Sequence, residues 1–201
     1  VGAALLALAV MADVQRYLAT HHRVAIVPGQ VMSASTDHPS EAPVPDEYEV
    51  ASTAPRQLIL PSIQTKGFIQ PVAVDQHGAM AVPQNIHLAG WYVRGARPGD
   101  PGLSIIDGHV SGHYLPGIFA HLTSLKSGHI FTVQYGDKSE RQFKVRRLIT
   151  VSTEEANSRL YERDSNIRSQ LNLITCTGSY DTANHGYDER LIVVAESIAK
   201  K

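Results

Sequence analysis

Cysteine is the scarcest informative residue in this 201-residue chain: there is one, Cys176. An internal disulfide is therefore excluded, and so is a zinc site of the Cys-x-x-Cys kind. Aromatic residues are few, at 6%, with a single tryptophan. No charge of one sign prevails, since 18 Lys plus Arg stand against 19 Asp plus Glu. That balance gives no basic footprint for nucleic acid and no polybasic patch for a membrane surface. The 10 histidines scatter instead of clustering at metal-ligand spacing, and no cofactor is expected. A lone cysteine is most often a small buried hydrophobe, so the setting of Cys176 must decide whether it is more.

Long apolar runs are nearly absent too. Only residues 1–12, VGAALLALAVMA, run without charge before Asp13. At 1.5 Å per residue that is roughly 18 Å of helix, less than the ~20 residues that span a bilayer. Residues 1–20 therefore read as the end of a membrane anchor that begins outside this sequence, or as a signal-peptide remnant. A buried helix is the other reading. The chain opens on Val1 and not on Met, which fits a start further upstream. Residues 21–56 hold Pro28, Pro39, Pro43, Pro45 and Pro55 among Ser, Thr, Asp and Glu. Such a stretch buries too little surface to offset its ordering entropy, and it reads as a flexible stalk, with a loop wrapped on the domain as the other reading.

From residue 57 to 201 the pattern is that of one mainly β domain. Short β-branched or apolar runs recur at 58–63, 68–74, 103–110, 130–135, 142–151, 172–178 and 190–198, with Gly, Pro, Asp and Asn between them. Pro61 and Pro71 point to edge or bulged strands in the first two. Gly136-Asp137 is a hairpin turn signal. Helices are expected only at 117–125 and about 153–162, the second with Ser152 or Thr153 as its N-cap. Many strands with few helices suggest a closed or nearly closed barrel. Trp91 and Tyr92 read as packing residues of that barrel.

Cys176 lies at the end of the apolar run LNLIT and is followed by Thr177 and Gly178. A strand that opens there into a loop sets the thiol at the barrel rim, a location that suits a nucleophile. A thiol needs a base or charge partner, because the thiolate is the reactive species. His109 sits in DGHVSG, at a strand end beside glycines, and is the best candidate base. Arg190 opens the run RLIVVAESI. If the last two strands are neighbours, its guanidinium can reach the thiol and steady an oxyanion. A surface ion pair with Asp188 or Glu189 is the competing reading of Arg190. The polar stretch 179–189, SYDTANHGYDE, reads as a solvated acidic loop and not as a calcium site.

Taken in order, IIDGH (105–109), LITCTG (173–178) and DERLIVVAE (188–196) resemble the sortase pattern. IQTKGFIQPV (63–72), AGWY (89–92) and PGDPGLSIIDGHVSG (98–112) agree with it. GIFAHLTSLKSGH (117–129) is similar to a block of class F-like sortases, with His129 where Asp is usual. The resemblance spans 58–198 and implies an eight-stranded β-barrel. It implies a cysteine transpeptidase that cleaves an LPxTG-like sorting signal on secreted proteins. The product is a thioacyl enzyme, resolved by an amine of the cell wall or of a pilin. His109, Cys176 and Arg190 are then the catalytic set. Thr175 and Thr177 are assigned to substrate binding, although an inward-facing strand residue is the other reading of Thr175. The same resemblance implies a single-pass membrane protein with an extracellular catalytic domain.

With ordinary pKa values, only about 1% of a Cys–His pair is thiolate plus imidazolium, a cost of about 2.7 kcal/mol. No carboxylate stands out as the partner of His109, so slow turnover is expected beside papain-like proteases. Two rivals are weighed. An L,D-transpeptidase also uses one Cys and one His, but Thr175 and Thr177 flank the cysteine here in place of its usual motif. A non-catalytic cell-surface β-domain would bury Cys176 and leave it inert.

Overall fold

The computed structural model describes residues 48–74, 80–182 and 186–198. The expected membrane segment 1–20 and stalk residues 21–47 lie outside the described residues. Among the described residues, no helix is long and apolar enough to cross a membrane.

Eight strands close into a barrel. They are β1 (Pro55–Leu60), β2 (Thr65–Val72), β3 (Leu88–Tyr92), β4 (Gly102–Gly108), β5 (Ile130–Tyr135), β6 (Glu140–Ser152), β7 (Ser169–Asp181) and β8 (Gly186–Ile198). Around the barrel the order is β1-β2-β3-β4-β7-β8-β6-β5, and β5 pairs back onto β1. Two neighbours, β2–β3 and β4–β7, run parallel; the rest are antiparallel. Among the described residues there is one α-helix, α1 (Thr153–Leu160), which follows β6 directly.

Alternation along the strands sorts two apolar layers. Ile106, Leu171, Leu173, Leu191 and Val193 point into the barrel with Phe131 and Phe143. Ile105, Ile174, Ile192 and Val194 point outward, where Ala156 and Leu160 of α1 cover them. Strands buried on both faces read as continuous apolar runs, which is why LSII and LIVVA lack alternation. Each fully buried Leu, Ile or Val contributes roughly 1.5–3 kcal/mol.

Several sequence expectations are corrected. Residues 117–125 form no α-helix: Ile118 and Phe119 donate their N–H groups outside, to Ile86 and His109. The chain continues as a run of tight turns with one short 3₁₀ segment, Leu122–Ser124. Phe119, Leu122 and Leu125 bury themselves in the core from there. Because the barrel closes, neither run is an edge strand along its whole length, although β1 shifts register between Pro55 and Gln57. Pro61 opens a 3₁₀ turn after β1, and Pro71 lies beyond Gln57–Phe68, where β1 stops pairing with β2. The expected loop 179–189 is largely strand, because Tyr180 pairs with Tyr187 and Asp181 with Gly186.

Residues 48–54 strap the barrel. The Tyr48 hydroxyl donates to the Ile69 carbonyl at 2.7 Å, and its ring lies 4.6 Å from that of Phe68. Gly136 and Asp137, in the β5–β6 turn, donate to the carbonyls of Ala54 and Ser52.

Candidate active site

The β7–β8 ladder places Cys176 directly opposite Arg190. Both belong to the outward set with Ile174 and Ile192. Burial along β7 falls away at this point: residues 170–175 are buried, Cys176 and Thr177 are half-buried, and 178–181 are exposed. So Cys176 sits within a strand and not at its end, but at the place where that strand leaves the core. The ladder slips between Thr177 and Tyr180, where Gly178 takes φ +85°. A Cβ there would stand 2.2 Å from the Asp188 carboxylate, so glycine is required. Asp188 accepts the Ser179 N–H at 2.8 Å.

Burial pushes the Cys176 thiol above its usual pKa; Arg190 pulls it down and Asp107 pushes it up. The balance of these effects favours the neutral thiol. The Arg190 NH1 group donates to the carbonyls of Tyr187 and Glu189, both at 2.8 Å. Among the described residues, the other three of its five guanidinium donors have no hydrogen-bond partner. Thr153 holds the same Tyr187 carbonyl at 3.2 Å. The Tyr187 hydroxyl bonds Ser111 at 3.0 Å, which ties the β8 strand to the loop after His109.

His109 follows the last residue of β4 and is half-buried. Its Nε2 lies 2.5 Å from the Pro83 carbonyl. A carbonyl only accepts, so Nε2 carries the proton and Nδ1 is left as the acceptor. Parallel pairing of β4 with β7 sets Asp107 beside Ile174, bringing the end of β4 alongside the stretch that holds Cys176.

Thr175 faces inward, 3% exposed, and donates to the Gly108 carbonyl at 2.7 Å. As placed, it fastens β7 to β4 beneath the site. Thr177 is half-buried on the exposed stretch after the cysteine. Among the described residues, no three His, Cys, Asp or Glu side chains converge as metal ligands would.

A Sortase domain model matches residues 58–198. The chain belongs to the sortase family. Among solved structures it is similar to sortase A from Corynebacterium diphtheriae, with TM-score 0.58 and 20% identity over 76% of this chain and 64% of that one. It is also similar to sortase C-1 from Actinomyces oris, with TM-score 0.53 and 23% identity over 72% and 73% of the two chains. Sortase C from Streptococcus pneumoniae gives TM-score 0.57 and 18% identity over 77% and 73%. This chain thus spans 64% of the length of the C. diphtheriae sortase. No curated protein matches it by sequence. These three neighbours are class A and class C sortases, and they do not confirm the class F-like likeness.

Within this sortase barrel, sequence reading missed Pro83 and Asp107. The Pro83 carbonyl orients His109 from a loop 26 residues upstream, and no local pattern marks it. Asp107 did carry a signal, as an acid set inside the apolar strand LSIIDGHV.

Proposed function

We propose that this sortase is a transpeptidase with Cys176 as nucleophile, His109 as proton carrier and Arg190 as oxyanion partner. The carrying observation is the cross-strand pairing of Cys176 with Arg190 where β7 emerges from the core. The family match over 58–198 supports this over an L,D-transpeptidase or a non-catalytic β-domain.

The proposed chemistry balances in two steps. His109 Nδ1 takes the thiol proton, and sulfur attacks the scissile carbonyl carbon of an LPxTG-like sorting signal. The C–S bond forms, the C–N bond breaks, and His109 returns the proton to the leaving amine. An acceptor amine then attacks the thioester; a new C–N bond forms, the C–S bond breaks, and His109 passes the amine's proton to the departing sulfur, which restores the thiol. Arg190 steadies the oxyanion in both steps. Thr177, on the exposed stretch beside the nucleophile, contacts the bound signal. The proposed substrates are secreted proteins bearing such a signal, and the acceptor is a cell-wall or pilin amine. The apolar residues 1–12 support a membrane-anchored chain with this domain outside the cell.

The test is peptide cleavage by the whole chain, with a fluorogenic LPxTG-type peptide and a glycine-based amine. Cleavage should depend on the amine and vanish in Cys176→Ala. If a library of such peptides stays uncut while the wild-type fold is intact, the reading fails.

A further inference from the structure

Asp107 is 4% exposed, and neither carboxylate oxygen has a hydrogen-bond partner. A buried polar group left unpaired is costly, and one beside a reactive centre calls for a functional account. Asp107 lies on the outward face of β4, beside Ile174 on β7 and Gly90 on β3. Its Oδ1 fills the space a side chain at Gly90 would need, 2.2 Å from that Cβ position. The Pro83 ring closes the same space at 2.8 Å, and the Pro83 carbonyl is the one that holds His109. Cys176 is the next residue on the outward face of β7, about 6.6 Å along the strand from Ile174. Among the described residues, no basic group offsets the burial of the Asp107 carboxyl. The ionisable groups facing Asp107 are Cys176 from β7, with Arg190 of β8 behind it, His109 along β4, and Tyr92 further down β3.

We propose that Asp107 is a positioning residue that sets when Cys176 can ionise: as a neutral acid it permits the thiolate, and as a carboxylate it holds the thiolate back. This rests on Cys176 being the nucleophile proposed above. Two negative charges on neighbouring strands, one buried and the other half-buried, oppose each other. Burial also pushes the Asp107 carboxyl well above the ordinary range; its own amide and that of Gly90, near the carboxyl but too poorly aligned for good hydrogen bonds, pull it back only in part. The device places a pH-dependent brake on thiol reactivity within the strand pair that carries the nucleophile.

The test is the rate of Cys176 alkylation by iodoacetamide between pH 6 and 10, in the wild type, Asp107→Asn and Asp107→Ala. Both variants should lower the thiol midpoint by about half a pH unit or more, making alkylation at pH 8 about threefold faster. A role confined to packing would not move the midpoint downward in both. An unchanged or raised midpoint in either folded variant overturns the proposal. Should neither fold, the carboxyl carbon signal of Asp107 by NMR reads the coupling from the other side. A second alkaline step in the wild type, absent in Cys176→Ser, supports it; identical single curves overturn it. Alkylation needs no peptide, so the two readings separate. A shifted midpoint without peptide cleavage keeps this coupling and sinks the transpeptidase, and cleavage without a shift does the reverse.

Discussion

The three candidate side chains were readable one at a time. Cys176, His109 and Arg190 each border an apolar run, which marks where the chain leaves the core even though Cys176 and Arg190 lie within their strands. What hid was their support, since Pro83 and Gly90 reach Asp107 from other parts of the chain. Charge at this scale gives two expectations. Arg190 lowers the thiol pKa, so Arg190→Gln should shift the Cys176 alkylation midpoint upward, opposite to any change at Asp107. The second concerns stability. An unfolded aspartate ionises near pH ~3.9, whereas buried Asp107 keeps its proton to higher pH. Between those points the native state binds more protons, so stability falls as pH rises from about 4. Asp107→Asn removes that loss. Its melting temperature should gain on the wild type as pH rises above about 4, and a constant difference would argue against a buried ionisation. Thr175→Val leaves the Gly108 carbonyl without its donor and should cost about 1–3 kcal/mol in urea unfolding.

Elements were legible where periodicity or capping dominates. Helix α1 begins where expected, with the Ser152 hydroxyl accepting the Glu155 N–H at 3.3 Å. Ser152→Ala should cost about 1 kcal/mol by chemical denaturation. The failures came from partners that sequence does not show. GIFAHLTSL has helical composition, yet Ile86 and His109 claim its first donors. SYDTANHGYDE is polar enough for a loop, yet cross-strand bonding between β7 and β8 carries much of it as ladder. Polarity reports exposure there, and an exposed hairpin satisfies polarity as well as a loop does.

At the scale of the whole molecule, the barrel class followed from the count of short runs, but its order did not. Two parallel pairings, β2–β3 and β4–β7, depend on long crossovers that no local signal encodes. The domain edge also lies further upstream than proline content suggests. Tyr48 packs on Phe68 and Arg56 lies 4.9 Å from the same ring, so the strap belongs to the fold. Tyr48→Ala should lower the melting temperature by several degrees, since a buried aromatic contact and its hydrogen bond go together.

The slip at Gly178 divides the last two strands into a fixed part and an adjustable part. Below it, register with β4 and β6 locks Cys176 against Arg190. Above it, the pairing of Tyr180 with Tyr187 and of Asp181 with Gly186 runs past the last rungs that β4 and β6 supply, and Tyr187 is steadied by bonds to Ser111 and Thr153. Exposed side chains on that stretch can be exchanged while Cys176 and Arg190 keep their spacing. A lineage built on this arrangement can vary its recognition surface from one descendant to the next and inherit its chemistry intact.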